Sequence, residues 1–423
     1  MDTRLTAISL SLVLLMYILS AIQYGHQGDS NSWMSGIGGQ GTLRTSKRRR
    51  SNDIAEVYLL PGLYSGLSNQ RLSFFYSAAI AIKYNWTLVL PHWRLEYNDL
   101  AFGTRNSGSS APFHYFHDLK DNRTAISREN LHHHVVHLPI TIAGKEEVSR
   151  QLRFVSELPH ALLHECLSQL QCNSFWQCKS PDTSILERWA SDLGVVCSNA
   201  ETSYYAFRSM LHEDHPDINL DDVPSLPVIN SIRRSFVPSD LFSQLTVKAL
   251  ESLKFKFNST SFVSLHLRTE EDFKQACEVW IPRSFQGGET LNCFEDEISV
   301  KTRLLESSIP KDSILFVMNG DEKLPKSICL ETDYRCIRKS MLFDGDFDYP
   351  RQFVRSSNSL AMLDYTISLN AQSFIGNVYS TMSVELYHEF VNNGKPASFY
   401  NTKHATRKNF VGQFIQSLVS YGG

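Results

Sequence analysis

The residues best suited to chemistry lie in the stretch Phe262 to Asp272, Phe-Val-Ser-Leu-His-Leu-Arg-Thr-Glu-Glu-Asp. Its apolar start, Phe262 to Leu267, reads as a strand. That strand carries His266 and Arg268 to its carboxyl end, two residues apart and so on one face. An arginine there offers a planar fork of donors suited to a diphosphate, and Asp272 follows within one helical turn. The alternative is an arginine that serves a structural ion pair and a histidine satisfied in the core. Two further stretches suit an anion. Gly62-Leu-Tyr-Ser-Gly66-Leu-Ser-Asn69-Gln70-Arg71 puts glycines in a strand-to-helix turn, where the backbone can approach a ligand closely. Gly376-Asn377-Val-Tyr-Ser380-Thr381-Met-Ser383 runs from a strand into hydroxyl residues at a helix start, which suits a phosphate. A tight turn and ordinary N-capping are the alternatives for these two.

These groups need strands and helices to hold them. Val57 to Pro61 reads as a strand, Gln70 to Tyr84 as a helix and Thr87 to Leu90 as a strand, together a β-α-β unit. Trp93 to His137 reads as loop-rich and aromatic. His133 and His137 have a metal-compatible spacing on a helix, but the Val135-Val136 context predicts an extended segment. Helical patterns recur over Leu158–Leu170, Ser184–Leu193 and Leu241–Leu253, and Asp214 to Pro227 reads as a connector. Ser313 to Met318 and Ser373 to Ile375 are strands. Asn358 is placed to cap a helix over Ser359–Asn370, and another helix follows Ser383 through Phe390. The alternation implies two α/β halves whose strand-end loops face a shared cleft.

The 423 residues leave room for two or three domains, and a net charge of −3 gives no basic field for nucleic acid. Residues 1–24 read as a signal anchor or signal peptide, with an apolar run from Ala7 to Ile22. Residues 25–53 read as a flexible stem containing Lys47-Arg48-Arg49-Arg50. Residues 54–240 and 241–423 are then the two folded domains. Asn85-Trp86-Thr87, Asn122-Arg123-Thr124 and Asn258-Ser259-Thr260 are N-glycosylation triplets. Eight cysteines fall four to a half, Cys166, Cys172, Cys178 and Cys197, then Cys277, Cys293, Cys329 and Cys336. Behind a secretory leader they read as disulfides inside each half, with the pairing open.

Four stretches resemble the GDP-fucose protein O-fucosyltransferases. They are Gly66-Leu-Ser-Asn69-Gln70-Arg71, Asn85-Trp-Thr-Leu-Val-Leu-Pro91, His266-Leu-Arg268-Thr-Glu-Glu-Asp272-Phe-Lys-Gln-Ala-Cys277 and Phe374-Ile-Gly-Asn377-Val-Tyr-Ser380-Thr381. Gly394-Lys-Pro-Ala-Ser-Phe399 is a weaker match, and the likeness is greatest to the type that modifies EGF-like repeats. The resemblance implies a GT-B-like fold of two Rossmann-like domains with GDP-fucose as donor, no metal or other cofactor, and inversion at the anomeric carbon. It implies a Ser or Thr acceptor on a secretory or cell-surface protein, in a Golgi or ER membrane enzyme with a lumenal catalytic part. By position, Arg268 would hold the β-phosphate and Asn69 would reach the acceptor hydroxyl. His266, Asp272 and Asp364 would read ribose and guanine, Ser380 and Thr381 would bind phosphate, and Gly66 lies in the substrate-side turn. Gly66 stands where the EGF type has an arginine, and Ser65 lies where the thrombospondin-repeat type has a glutamate base. Met382 replaces a common aromatic, and Asn319-Gly320-Asp321 replaces Thr-Asp-Ser. Another nucleotide sugar, a glycan acceptor or an inactive glycoprotein-binding protein are the alternative functions.

Overall fold

The computed structural model describes residues 57–61, 63, 66–91, 93–99, 104–111, 115–119, 134–141, 147–155, 195–197, 232–271, 273–274, 277, 293–307, 309–320, 324–343 and 356–401. They belong to one compact unit, Ala55–Gly423. The expected leader, stem, connector and helices over 158–170 and 184–193 lie outside them, as do Asn122, His132, His133, Cys166, Cys172, Cys178 and Asp272.

The fold is mixed α/β. The first sheet has the order β6-β7-β2-β1-β8. Its strands are β1 (Tyr58–Leu60), β2 (Thr87–Val89), β6 (His134–Thr141), β7 (Glu147–Val155) and β8 (Val195–Cys197). β1 runs parallel to β2 and β8, and β2 parallel to β7, while β6 closes the edge antiparallel to β7. The second sheet is parallel throughout, with the order β12-β11-β10-β13-β14. Its strands are β10 (Val263–His266), β11 (Ile314–Met318), β12 (Arg335–Ile337), β13 (Ser373–Gly376) and β14 (Ala397–Phe399). Numbered from β10, that is the 3-2-1-4-5 winding of a nucleotide-binding sheet, with its direction of winding reversing between β10 and β13. β10 and β11 are buried along their whole length, as strands covered on both faces must be.

The helices explain the packing. α1 (Leu67–Tyr84) is buried over almost all its length, from Leu67 to Ala81 with few breaks, because its sequence is mostly apolar or small and its buried Arg71 is ion-paired. It ends where Asn85 takes a left-handed conformation at φ 55°. It starts three residues earlier than the sequence suggests, at Leu67, with Asn69 inside the first turn. α2 (Asp240–Phe257) buries Phe242, Leu245, Ala249 and Leu253 at helical spacing and leads into β10. α3 (Glu297–Glu306), α4 (Lys326–Cys329) and α5 (Lys339–Leu342) lie around β11 and β12 in sequence. α6 (Ser357–Ser368) and α7 (Thr381–Asn392) flank β13 in sequence, and both pack on α1. Leu72, Phe74, Phe242, Phe316, Met362 and Leu386, drawn from both halves, share one apolar core.

Two sequence expectations change. The segment after Trp93 is not mainly loop: β3 (Trp93–Asp99) and β4 (Thr104–Ala111) form a hairpin, and β5 (His117–Leu119) pairs with β9 (Phe236–Pro238). Asn358 does not cap α6; Ser356 does, its Oγ accepting from the Ser359 N–H at 3.0 Å, while Asn358 is buried inside the helix. His137 lies on strand β6 and not on a helix, while His133, its partner in the metal-compatible spacing, lies outside the described residues. Cys277–Cys293 and Cys329–Cys336 are bridged, both within the second half. Among the described residues no helix is long and apolar enough to cross a membrane.

Candidate active site

The reversal of winding puts the carboxyl ends of β10 and β13 side by side, where ligands bind in open α/β sheets. β10 ends at His266, and the backbone continues to Arg268. β13 ends at Gly376, and α7 begins five residues later, at Thr381, just after its N-cap Ser380.

His266 is buried, and its Nδ1 lies 2.8 Å from Ser383 Oγ in the first turn of α7. Ser383 Oγ also accepts from the Asn377 N–H at 3.0 Å. With the Ser383 hydroxyl donating to Nδ1, the imidazole proton sits on Nε2, free to donate to a ligand. Burial, then the charges of Arg268 and Lys339, lower the His266 pKa to about 3. The ring is therefore neutral at working pH.

This shift has a stability consequence. The unfolded histidine takes up a proton near pH 6.5, whereas the folded one stays neutral down to about pH 3. Stability from this group is complete above about pH 6.5 and falls as the pH drops toward 3, by roughly 1.4 kcal/mol per pH unit. Buried His117, pushed well down by burial and by Arg71, acts in the same sense. Urea midpoints should thus fall between pH 6.5 and 5, above the range where exposed carboxylates titrate. Equal midpoints at both ends would contradict the assignment.

Gly376 makes the His266–Ser383 contact possible. A Cβ there would lie 2.6 Å from Phe374 Cζ and 2.6 Å from Ser383 Oγ, closer than real contacts come. Gly376→Ala should displace Ser383, cost about 1–3 kcal/mol by overpacking, and weaken nucleotide binding. Calorimetric titration and urea unfolding check both parts.

Arg268 is about one-quarter exposed, as a ligand-facing group must be. Its Nε is 3.0 Å from Glu270 Oε2, and its guanidinium lies 4.4 Å from the Phe273 ring centroid. Its backbone N–H donates to the Tyr400 hydroxyl at 3.2 Å, and burial pushes that phenol up to about 12. Glu270 was not singled out in the sequence. Yet its Oε1 accepts from the Gly320 N–H at 2.7 Å, just beyond β11. A Cβ on Gly320 would sit 3.1 Å from that oxygen, so a glycine suits the approach. One carboxylate thus fixes both the arginine fork and the neighbouring strand end. The signal that could have found it was the glutamate two residues after an arginine at a strand end. Glu270→Gln keeps an acceptor for Gly320 but cannot accept from Nε as well, so kcat should fall by about tenfold, near 1.4 kcal/mol. Unchanged kcat would mean that Arg268 holds its place without Glu270.

Asn377, fully buried, organises the loop after β13. Its Oδ1 accepts from the Tyr379 N–H at 2.9 Å and from Asn401 Nδ2 at 3.1 Å. Its Nδ2 donates to the Cys293 carbonyl at 3.0 Å, so the Cys277–Cys293 bridge ties this loop to the segment after Arg268. Ser380 is the buried N-cap residue of α7, but its hydroxyl makes no capping bond. Thr381 follows as the first helical residue. Asp364 is buried in α6 and ion-paired with Lys339 of α5, Nζ to Oδ2 at 2.8 Å.

The glycine turn of the first half reaches the same place. The nearest atom to a Cβ on Gly66 would be Asn358 Oδ1 of α6, at 4.0 Å. Arg71, one turn into α1, pairs with Glu385 in α7 at 3.0 Å, both buried, and its guanidinium lies 3.9 Å from the Tyr365 ring centroid. Arg233 pairs with Glu389 at 2.8 Å behind it. The amino ends of α1, α6 and α7 therefore converge, and each presents unsatisfied N–H groups with positive dipole ends. The structure brings Gly66, Asn69, His266, Arg268, Asp364, Ser380 and Thr381 onto these few elements, whereas Asp272 lies outside the described residues. An arginine, a neutral histidine donor and helix amino ends make a setting for a diphosphate.

The model of the family described as GDP-fucose protein O-fucosyltransferase matches residues 58–284, more than half of the chain. The chain belongs to the GDP-fucose protein O-fucosyltransferase family. By that membership it is a GDP-fucose-dependent fucosyltransferase. The O-fucosyltransferase match begins at β1 and covers the Gly66 turn, Arg268 and Cys277. No curated protein sequence matches the chain. Among solved structures it is similar to POFUT1 in complex with GDP, with 15% identity over 83% of this chain and 100% of that chain and a TM-score of 0.46. It is also similar to POFUT1 in complex with GDP-fucose, with 14% identity over 84% and 100% and a TM-score of 0.43. The fucosyltransferase NodZ from Bradyrhizobium is 13% identical over 78% of this chain and 91% of that chain, with a TM-score of 0.35.

Proposed function

We propose that this O-fucosyltransferase is an inverting, metal-independent enzyme that moves fucose from GDP-fucose to a Ser or Thr hydroxyl of a secretory-pathway protein. The observation that carries the reading is Arg268 at the end of β10, opposite the amino end of α7 across the sheet's reversal of winding. The two sheets would act as the two Rossmann-like domains of a GT-B-like enzyme, 54–240 on the acceptor side and 241–423 on the donor side.

In this reading Arg268 binds the β-phosphate through the nitrogens that Glu270 leaves available, with Ser380, Thr381 and the amino end of α7 beside it. His266 donates from Nε2 to the nucleotide, and Asp364, with Asp272, reads ribose and guanine. The acceptor oxygen attacks C1 of fucose from the face opposite the diphosphate. The C1–O bond to the β-phosphate breaks, its electrons go to GDP, the acceptor hydroxyl gives up its proton to the departing diphosphate or to water, and the configuration inverts. Negative charge grows on the leaving diphosphate while the sugar gains oxocarbenium character, so fixed positive charge lowers the barrier. Asn69, in the first turn of α1, would orient the acceptor hydroxyl.

The disulfides Cys277–Cys293 and Cys329–Cys336 support a lumenal setting in the Golgi or endoplasmic reticulum. The N-terminal segment would anchor the enzyme in the membrane there. Incubation with labelled GDP-fucose, acceptor domains and EDTA tests the proposal. Label in β-elimination-sensitive linkage to Ser or Thr supports it; label appearing only on glycans points to the glycan-acceptor reading.

A further inference from the structure

We propose that Asn258 carries an N-linked glycan whose first sugar rests on Phe255. The proposal depends on the lumenal setting proposed above. The fold separates this triplet from the Asn85 one. In Asn85-Trp86-Thr87 every residue has a structural reason: Asn85 adopts the left-handed cap of α1, and Trp86 and Thr87 are buried where β2 begins. In Asn258-Ser259-Thr260 the account stops short. Asn258 forms the left-handed cap of α2 at φ 50°. Ser259 Oγ makes a local turn, donating to the Ser261 carbonyl at 2.9 Å and accepting from the Ser261 N–H at 3.1 Å. Thr260 is exposed and has no hydrogen-bond partner among the described residues, so the fold asks nothing of its hydroxyl. The Asn258 side chain is likewise exposed, with no hydrogen-bond partner among them.

Phe255 is the second observation. At 89% exposure it is the most exposed large apolar side chain among the described residues. It stands, with the less exposed Val247, on the outer side of α2, whose inner face already holds Phe242, Leu245, Ala249 and Leu253. It stands three residues before Asn258, about one helical turn back along the chain, and both side chains are exposed. An N-acetylglucosamine on Asn258 would bring the apolar face of its ring within reach of this phenyl ring. Position also fits. Five residues separate the end of α2 from the start of β10, at the amino-terminal edge of the second sheet. The candidate active site lies at the carboxyl ends of the strands, so a bulky glycan here leaves it open.

The modification is ordinary amide glycosylation. The co-substrate is a lipid-linked oligosaccharide diphosphate. Its anomeric C1–O bond breaks, C1 bonds to Asn258 Nδ2, one amide proton is lost, and the lipid diphosphate leaves. The Thr260 hydroxyl supplies the recognition feature of the triplet.

The test uses the full chain made in cultured eukaryotic cells. Peptides are mapped under non-reducing conditions, before and after peptide N-glycosidase treatment in heavy-oxygen water. Isotope-labelled deamidation at Asn258 is expected, kept in Thr260→Ser and lost in Thr260→Ala. Enzymatic release of the glycan from native protein should be several-fold faster in Phe255→Ser, because the sugar loses its apolar shelf; an unchanged rate would overturn the role of Phe255. An unmodified Asn258 in protein whose Cys277–Cys293 bridge is formed would overturn the proposal while leaving the lumenal setting intact. Absence of both bridge and glycan would overturn the two together.

Discussion

Replacing Arg268 with alanine is expected to lower fucosyl transfer by on the order of 100-fold or more, with little change in the unfolding midpoint. The size follows from the chemistry. Departure of GDP concentrates negative charge on a diphosphate, and a preorganised guanidinium acts there before the barrier is reached. The sparing of stability follows from placement. Arg268 is partly exposed and extends beyond β10, and its removal leaves Glu270 still bound to the Gly320 N–H. Arg268→Lys should recover little, because an ammonium cannot reproduce the fork that meets Glu270 and phosphate together. Initial rates at saturating donor, with melting curves on the same preparations, check both halves. Near-normal turnover in Arg268→Ala would remove Arg268 from the mechanism.

The second large effect belongs to the buried charges where α1 meets α7. Arg71→Met is expected to destabilise the protein by about 3–5 kcal/mol, because Glu385 would be left charged and unpaired in the interior. Glu385 is fully buried; burial pushes its carboxyl up, and the Arg71 charge opposes this. Arg233 and Glu389 sit close behind, so the loss should spread along the contact between the halves. Arg71→Met with Glu385→Leu should restore much of the stability, since apolar side chains of similar size can replace a buried pair. The double-mutant cycle in urea measures the coupling directly. Additive single effects would show that the 3.0 Å pair does not couple them. Transfer activity adds information, because these helices carry Asn69, Ser380 and Thr381. A restored melting curve with depressed activity would show that the charge network also sets the angle between α1 and α7.

Much of the second sheet was legible in the sequence because parallel, buried strands leave continuous apolar runs. Ile314–Met318 is such a run, and Val263–His266 is a mostly apolar stretch broken by Ser264; the structure places strands at both within a residue or so of expectation. His266 and Arg268 followed from the strand's end, since a two-residue step fixes a common face. The first half was less legible for a physical reason. β4, Thr-Arg-Asn-Ser-Gly-Ser-Ser-Ala, has neither alternation nor an apolar run, and its identity as a strand comes from pairing with β3. The start of α1 was hidden because Leu67-Ser68-Asn69 reads as loop until tertiary packing buries it. Ser356 rather than Asn358 caps α6, although both are good capping residues; only the backbone geometry selects between them. The Arg71–Glu385 pair could not be read at all, since it depends on groups brought together from distant segments.

The central claim is that the reversal of winding beside Arg268 holds a guanosine diphosphate without a metal ion. Calorimetric titration of the protein with GDP, GDP-fucose, GDP-mannose and UDP, each with and without EDTA, tests it most directly. The account predicts binding of GDP and GDP-fucose in preference to the other two, unchanged by EDTA and lost or weakened in Arg268→Ala. Equal or tighter binding of UDP, or GDP binding abolished by EDTA, would contradict it.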